Sequence, residues 1–135
     1  MKDRFFLDTN ILIYTFDRSA VNKRQLATSL VERALLGGGV ISYQVVQEFL
    51  NVATRKFTPP MKPEEAQLYL ETVLTPLCAL VPTPDLFALA LRIQSEYKFS
   101  FYDSLILGSA HLTACKTLYT EDLQSGREVL GVKVV

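Results

Sequence analysis

Residues 4–14 read Arg4-Phe5-Phe6-Leu7-Asp8-Thr9-Asn10-Ile11-Leu12-Ile13-Tyr14, and they set the pattern for the rest of the chain. The first four form a short apolar run of strand length that ends at an acidic residue, Asp8. Aspartate often caps the first turn of a helix, so a helix is expected from about Thr9. This stretch therefore predicts a buried strand that passes directly into a helix, with a carboxylate at the junction.

The remaining sequence repeats this alternation of short apolar runs and amphipathic segments. Further strands are predicted at residues 40–42, 78–81, 117–119 and 132–135. Helices are predicted over residues 22–36, 43–57, 63–74, 83–97 and 100–114. Strands separated by helices need crossover connections, which make the strands parallel. We therefore predict an α/β protein with a mainly parallel central sheet of four to five strands, covered on both faces.

Composition is consistent with one folded unit. The chain has 135 residues, of which 49% are hydrophobic, and it contains no repeat or linker-like tract. That length and apolar content suit a single core, so we predict one domain spanning residues 1–135. No apolar run approaches the roughly 18 residues of a membrane span, and no signal peptide is recognisable. The expected location is therefore the cytoplasm, with no membrane partner.

Charge and the rarer residue types argue against a general nucleic-acid binder, a zinc knuckle and a thiol redox motif. Fourteen basic and fourteen acidic residues cancel, whereas general nucleic-acid binders are usually basic, so any RNA contact would depend on a local patch. Cys78 and Cys115 form no C-x-x-C pair, and they are expected to be buried thiols. The single histidine, His111, has no partner at a metal-ligand spacing.

Acidic residues follow the predicted strands at the points where ligands bind in open parallel sheets. Such ligands lie beyond the carboxyl ends of the strands. Asp8 ends the first strand, Glu48 lies on the helix after the second, and Asp122 follows the fourth. Asp103 lies at the start of the long helix before that fourth strand. The predicted fold brings these four carboxylates to one edge of the sheet.

Three of these residues also have a purely structural interpretation. Asp8 would serve equally well as a helix cap, and Ser100-x-x-Asp103 matches a capping box. Asp122 would suit the beginning of a turn, with Thr120 as a second capping residue. For each of them, taken alone, both interpretations remain open.

Glu48 is harder to explain as a structural residue, because it lies well inside a helix. Its neighbours on the same face are Val45 and Val52, and Phe49 is adjacent, so it lies within or beside the apolar stripe. A carboxylate in such a position usually has a partner. Arg55, about two turns later, is one candidate partner, and a metal ion is the other.

A divalent cation would explain all four carboxylates together. Clustered carboxylates repel one another and raise each other's pKa, and a bound cation removes that conflict. Oxygen-only ligands favour Mg²⁺ or Mn²⁺ over zinc. Such an ion lowers the pKa of bound water and stabilises charge on a phosphodiester, which is the chemistry of nucleic-acid hydrolysis.

Four sequence blocks also resemble a known family. They are Phe6-Leu7-Asp8-Thr9-Asn10-Ile11-Leu12-Ile13-Tyr14, Ile41-Ser42-Tyr43-Gln44-Val45-Val46-Gln47-Glu48-Phe49, Phe101-Tyr102-Asp103-Ser104-Leu105-Ile106 and Leu118-Tyr119-Thr120-Glu121-Asp122-Leu123. In order and spacing they are similar to the blocks of PIN-domain proteins, especially the VapC-type toxins of bacterial toxin–antitoxin pairs. The resemblance covers nearly the whole chain.

The resemblance implies a three-layer α/β/α fold and an endoribonuclease that uses Mg²⁺. It implies Asp8, Glu48, Asp103 and Asp122 as metal ligands, directly or through water, with Asn10 and Thr120 supporting the site by hydrogen bonds. Glu121 is an alternative fourth ligand, and the Thr-x-Asp pattern favours Asp122. The resemblance also implies a homodimer and a VapB-type antitoxin as partners.

Basic side chains that would grip the RNA backbone can be chosen only as candidates. They are Arg18, Lys23, Arg24, Arg55, Lys56 and Lys62, each equally consistent with ordinary surface charge. One alternative function is a PIN scaffold that binds RNA or protein without cleaving it. Another is a phosphoryl-transfer protein, but a phosphatase of the haloacid dehalogenase type would need an aspartate where this chain has Asn10. A receiver domain would need an additional pair of acidic residues near the first strand and a lysine after the last strand, and neither is evident.

Overall fold

The computed structural model describes residues 3–135, and its helices and strands alternate. The elements occur in the order β1 (Arg4–Leu7), α1 (Thr9–Tyr14), α2 (Val21–Leu36), β2 (Gly39–Ser42), α3 (Tyr43–Arg55), α4 (Pro63–Tyr69), a π-helical turn (Leu70–Leu74), α5 (Thr75–Leu77), β3 (Cys78–Leu80), α6 (Pro84–Tyr97), α7 (Phe101–Leu112), β4 (Cys115–Tyr119), β5 (Glu128–Val129) and β6 (Val132–Val134). No helix within these residues combines the length and apolar character needed to cross a bilayer.

One six-stranded sheet organises the molecule. The strands lie in the order β3-β2-β1-β4-β6-β5, and every neighbouring pair is parallel except β5 with β6. The first strand is central, flanked by β2 and β4. Phe5, Phe6 and Leu7 are all buried, and because successive side chains in a strand point to opposite faces, both faces of the sheet are covered. The α/β class and the mainly parallel sheet are confirmed.

The sheet has one strand more than predicted. The extra strand, β5, is only two residues long and forms a hairpin with β6. Leu130 and Gly131 connect the two strands with φ of 51° and 82°, as tight hairpin turns require. Leucine rarely adopts a positive φ, so the sequence carries no clear signal for this turn.

One predicted helix ends earlier than expected, and another reaches its predicted end at Leu74 but changes its helical type on the way. The third helix ends at Arg55 rather than near residue 57. The helix from Pro63 is regular only to Tyr69, after which the chain widens into the π-helical turn. There Thr75 donates its N–H to the carbonyl of Leu70, five residues earlier.

An aromatic cluster holds α3 against the neighbouring helix and loop. Its rings belong to Phe16, Phe49, Phe57 and Tyr69, and the Phe49 and Tyr69 rings stack with centroids 4.7 Å apart. Phe16 follows α1 and Phe49 lies on α3, so the cluster fixes the helix that carries Glu48 relative to α1.

The last residues of the chain brace β4. Val135 donates its N–H to the carbonyl of Leu118 at 2.9 Å, and Thr120 donates its N–H to the carbonyl of Val135 at 3.3 Å. These bonds continue the pairing between β4 and β6 to the point where β4 ends.

Candidate functional site

Three neighbouring strands deliver polar residues to the same edge of the sheet. The strands β2, β1 and β4 are adjacent and parallel, so their carboxyl ends meet there. Asp8 follows β1, α3 with Glu48 follows β2, and Thr120 follows β4. Asp103 comes to this edge differently, because α7 runs back along the sheet before β4 and therefore begins where β4 ends.

Asp8 is the most buried of the four carboxylates, with 5% of its surface exposed. It caps α1 and accepts the N–H of Thr9 at 2.7 Å, while its other oxygen accepts the hydroxyl of Thr120 at 2.7 Å. The pKa of Asp8 is raised to about 6, mainly by burial and further by the charges of Asp122 and Glu48, while the two hydrogen bonds oppose the shift. Asp8 is therefore both a helix cap and a buried acid whose charged form is disfavoured.

Asp122 is held by two residues that the sequence resemblance marked as supporting. Asn10 donates its amide to the Asp122 carboxylate at 2.9 Å. Thr120 accepts the backbone N–H of Asp122 at 3.1 Å while donating to Asp8. A single hydroxyl thus links the carboxylate after β1 to the turn after β4.

Glu48 lies at the open edge of the site, on the face of α3 that the sequence predicted. It accepts the hydroxyl of Thr9 at 3.2 Å. Partial burial raises the pKa of Glu48, and the nearby charges of Asp122 and Asp103 act in the same direction. Within residues 3–135, Arg55 forms no ion pair with Glu48, so the expected alternative partner is absent there.

Asp103 has a carboxylate that the helix cap does not use. Ser100 caps α7 and accepts the N–H of Asp103 at 3.1 Å. The reciprocal bond from the backbone N–H of Ser100 to Asp103, which a full capping box needs, is not formed in the described chain. The side chain is half-buried in the first turn of α7, where the helix dipole favours a negative charge.

Glu121 is bonded to a different pair of side chains. Its carboxylate accepts the Tyr14 hydroxyl at 2.8 Å and pairs with Lys23 at 3.3 Å. The Tyr14 bond, followed by the Lys23 pairing, lowers the pKa of Glu121. Asp122, by contrast, is the residue whose charge acts on both Asp8 and Glu48.

The donor chemistry suits a hard divalent cation, although the side chains do not yet enclose one. In residues 3–135, no group of three or more His, Cys, Asp or Glu side chains is placed closely enough to hold a metal ion. Yet the raised pKa values of Asp8 and Glu48 show carboxylates that are partly desolvated and repel one another. A cation would remove that repulsion and draw the oxygens together.

The basic candidates fall in three places. Lys23 lies beside the site through Glu121, and its ammonium is 5.1 Å from the centre of the Tyr14 ring. Arg18 and Arg24 line a separate cleft of about 670 Å³. Arg55 and Lys56 lie at the far end of α3, and Lys62 caps α4, all of them exposed.

Two residues that contact the acidic side chains were missing from the predicted site. Thr9 holds Glu48, and Tyr14 holds Glu121. For Thr9 the available signal was its position directly after Asp8, in the first turn of a helix that begins at the edge of the sheet, whereas Tyr14 lies at the other end of that short helix.

Comparisons with known proteins agree with this architecture. The model of the PIN domain family matches residues 5–126. A search of curated proteins finds no match. Among solved structures, the chain is similar to one described as a toxin–antitoxin complex from Klebsiella pneumoniae, with 21% identity, a TM-score of 0.66 and coverage of 94% of this chain and 93% of that chain.

A second solved structure is that of VapBC2 from Rickettsia felis bound to a DNA fragment from its promoter. The chain is 18% identical to it, with a TM-score of 0.60 and coverage of 97% of this chain and 96% of that chain. At such identities the likeness concerns the fold, whereas the family match covers nine-tenths of the sequence. The chain belongs to the PIN domain family.

Proposed function

We propose that the protein is a metal-dependent endoribonuclease that hydrolyses RNA phosphodiester bonds, and that it is the toxin of a VapBC-type toxin–antitoxin pair. The observation that carries the proposal is the convergence of Asp8, Glu48, Asp103 and Asp122 at one edge of the sheet, from four separate segments. Membership of the PIN domain family supports a nuclease. The two similar structures, described as a toxin–antitoxin complex and as VapBC2, support the toxin role.

The four carboxylates would hold Mg²⁺, or Mn²⁺ in its place. When bound, such an ion lowers the pKa of a water ligand and stabilises the charge that develops on the phosphate. All donors are oxygens, which is the preference of these hard cations.

The chain's own side chains prepare that site. Thr120 and the N–H of Thr9 orient both oxygens of Asp8, and Asn10 orients Asp122. Thr9 turns Glu48 toward the same space. Hydrogen bonds of this kind set the direction of metal-binding carboxylates and influence metal affinity strongly.

RNA would approach the acidic edge of the sheet from the side on which Lys23 lies. Lys23 forms an ion pair with Glu121, which directly precedes Asp122 in the sequence. Arg18 and Arg24 lie in the separate cleft, where they would hold a more distant part of the backbone or a partner protein. Arg55, Lys56 and Lys62 remain weaker candidates for RNA contact.

The proposal extends to partners and location. A VapB-type antitoxin would neutralise the enzyme, and two copies of this chain would form a homodimer. The expected location is the cytoplasm, where the RNA substrate is found. Copurification with a coexpressed VapB-type protein and mass measurement of the complex would test these statements.

The main alternative is a PIN scaffold that binds RNA or a protein without cleaving it. In that case the acidic residues would have no chemical role, and the burial that raises the pKa of Asp8 would have no functional purpose. A cleavage assay separates the two functions directly.

The decisive experiment measures cleavage of labelled structured RNA with Mg²⁺, with EDTA, and with single variants. Asp8→Asn and Asp103→Asn should each abolish metal-dependent cleavage while retaining a native circular dichroism spectrum. Asp85→Asn is a matched control, since Asp85 also lies in the first turn of a long helix, α6, but outside the site. Full cleavage by both site variants, or cleavage that EDTA does not affect, would contradict the proposal.

A further inference from the structure

A second pocket opens next to the acidic residues. It has a volume of about 240 Å³ and lies between the start of α3, the start of α7 and the first turns of α6. Its wall includes Phe101 and Tyr102, and Tyr102 directly precedes Asp103. Gln44 also lines it, one helical turn before Glu48 and on the same face of α3. A ligand in this pocket would therefore lie beside the proposed metal site.

The pocket wall is largely aromatic and apolar, and part of it is open to solvent. Phe87 and Tyr102 expose 42% and 67% of their surface, and Leu86 closes one side. The rings of Phe101 and Tyr102 meet edge to face with centroids 5.8 Å apart and form one corner of the pocket wall. Aromatic surfaces of this kind bind flat, unsaturated rings well.

Two polar atoms in this wall have no hydrogen-bond partner in the described residues. They are the hydroxyl oxygen of Ser42 and the amide oxygen of Gln44, and both are buried. Ser42 occupies the capping position of α3 but makes no capping bond with its side chain, and only 3% of the residue is exposed. Gln44 donates its amide N–H to the carbonyl of Tyr102 at 3.4 Å, and its amide oxygen has no donor among the described residues. Buried oxygens of this kind are costly unless a ligand supplies N–H groups.

We propose that this pocket binds one unstacked nucleobase of a single-stranded RNA segment, next to the bond that is cut. This proposal rests on the proposed nuclease function. It implies a substrate RNA in which one base is free to leave its stack. Nucleobases combine a flat π face for Phe87 and Tyr102 with N–H groups for the oxygens of Ser42 and Gln44. The volume suits a single ring system rather than a whole nucleotide, because drug-sized ligands fill roughly 300–1,000 Å³.

The first test compares binding with and without a base. Fluorescein-labelled hexaadenylate and versions with one abasic position are titrated in EDTA, so that metal-dependent cleavage does not interfere, and anisotropy is recorded. The native protein should bind hexaadenylate about tenfold more tightly than it binds the oligomer whose abasic position falls at the pocket. A factor of this size is typical of base–aromatic stacking. Phe87→Ala and Tyr102→Ala should each remove most of that difference. Leu91→Ala, on α6 but outside the pocket and 57% exposed, should preserve it.

Ser42→Ala is a variant whose folding is not expected to suffer. Its hydroxyl has no partner, so removing it should leave the melting temperature unchanged or higher. The same variant should weaken the preference for the parent oligomer over the abasic one by roughly threefold, the loss expected for one modest hydrogen bond. An unchanged preference in Ser42→Ala, Phe87→Ala and Tyr102→Ala would overturn the assignment.

The outcomes also separate this pocket from the nuclease proposal. If the parent and abasic oligomers bind equally, or neither binds at millimolar concentration, the pocket assignment is wrong even where Mg²⁺-dependent cleavage is seen. If base-dependent binding is present without any cleavage, the pocket assignment holds and the nuclease proposal fails. If the ring variants change only the oligomeric state in size-exclusion chromatography, the surface is a contact between copies and the assignment is overturned.

Discussion

At the scale of single residues, Asp8 shows how a capping role and a site role coincide. Its backbone position ends β1 and starts α1, which explains the residue without any function. Its burial and the surrounding acids raise its pKa to about 6, which a cap does not require. At neutral pH this raised pKa lowers the free energy of unfolding by roughly 3 kcal/mol, and a bound cation would remove that penalty.

Asp8→Asn should therefore stabilise the metal-free protein at neutral pH. The folded state binds this proton more tightly than the unfolded state, so stability is greatest below the unfolded pKa of about 3.8 and falls as pH rises through about 6. Asparagine carries no such charge, so we expect a gain of roughly 1–3 kcal/mol at pH 7.5 in EDTA that vanishes near pH 4.

Urea unfolding at several pH values measures this difference. Asp85→Asn, at an exposed site on α6, is the control variant for removal of a carboxylate. Mg²⁺ should stabilise the native protein but not Asp8→Asn. A variant that is less stable than the native protein at every pH would show that burial of Asp8 imposes no charge penalty.

Thr120 is the second residue whose role can be isolated. Thr120→Val keeps the shape but removes the hydroxyl shared between Asp8 and Asp122, whereas Thr120→Ser keeps it. We expect Thr120→Val to weaken Mg²⁺ binding about 10–100-fold, as loss of a residue that orients metal ligands does, with Thr120→Ser near the native value. Isothermal titration with Mg²⁺ measures both, and equal affinities would show that the hydroxyl does not orient the carboxylates.

At the scale of the elements, the junction between α2 and β2 depends on glycine for space. A Cβ on Gly39 would overlap the backbone and side chain of Ala34 and press on the ring of Phe5. The predicted end of this helix at residue 36 is confirmed, with Gly37 as its cap, but the close approach at Gly39 appears only in three dimensions.

Two glycine-to-alanine substitutions should therefore have opposite effects. Gly39→Ala should cost about 1–3 kcal/mol because the helix and strand must separate. Gly108→Ala, inside α7, meets only the flexible ends of Leu86 and Leu89 at 3.4 Å and 3.6 Å, and it should gain up to about 1 kcal/mol of helix stability. Thermal unfolding of both variants measures the pair, and a stabilising Gly39→Ala would contradict the packing.

At the scale of the whole molecule, the hydrophobic pattern was enough to predict the class, the parallel sheet and the edge at which the acids gather. Apolar runs of strand length between helices leave few arrangements. It could not predict β5, because two residues and a left-handed leucine carry no periodic signal. Nor could it predict that Glu121 is occupied by Tyr14 and Lys23, since those bonds span about a hundred positions.

A neutral chain should bind RNA through few charges, and this has a measurable consequence. Each lost phosphate contact reduces the slope of log affinity against log salt by about 0.7 for single strands. Lys23→Gln should lower the slope by roughly this amount. Lys116→Gln, exposed at the opposite end of β4, should not. Equal slopes for the two variants would remove Lys23 from the RNA path.

The bonds between Val135, Leu118 and Thr120 have a practical bearing on how the protein is handled. Thr120 lies where β4 ends, and its hydroxyl steadies Asp8. An affinity tag joined directly to Val135 would disturb these hydrogen bonds, and with them the Thr120 hydroxyl that contacts Asp8.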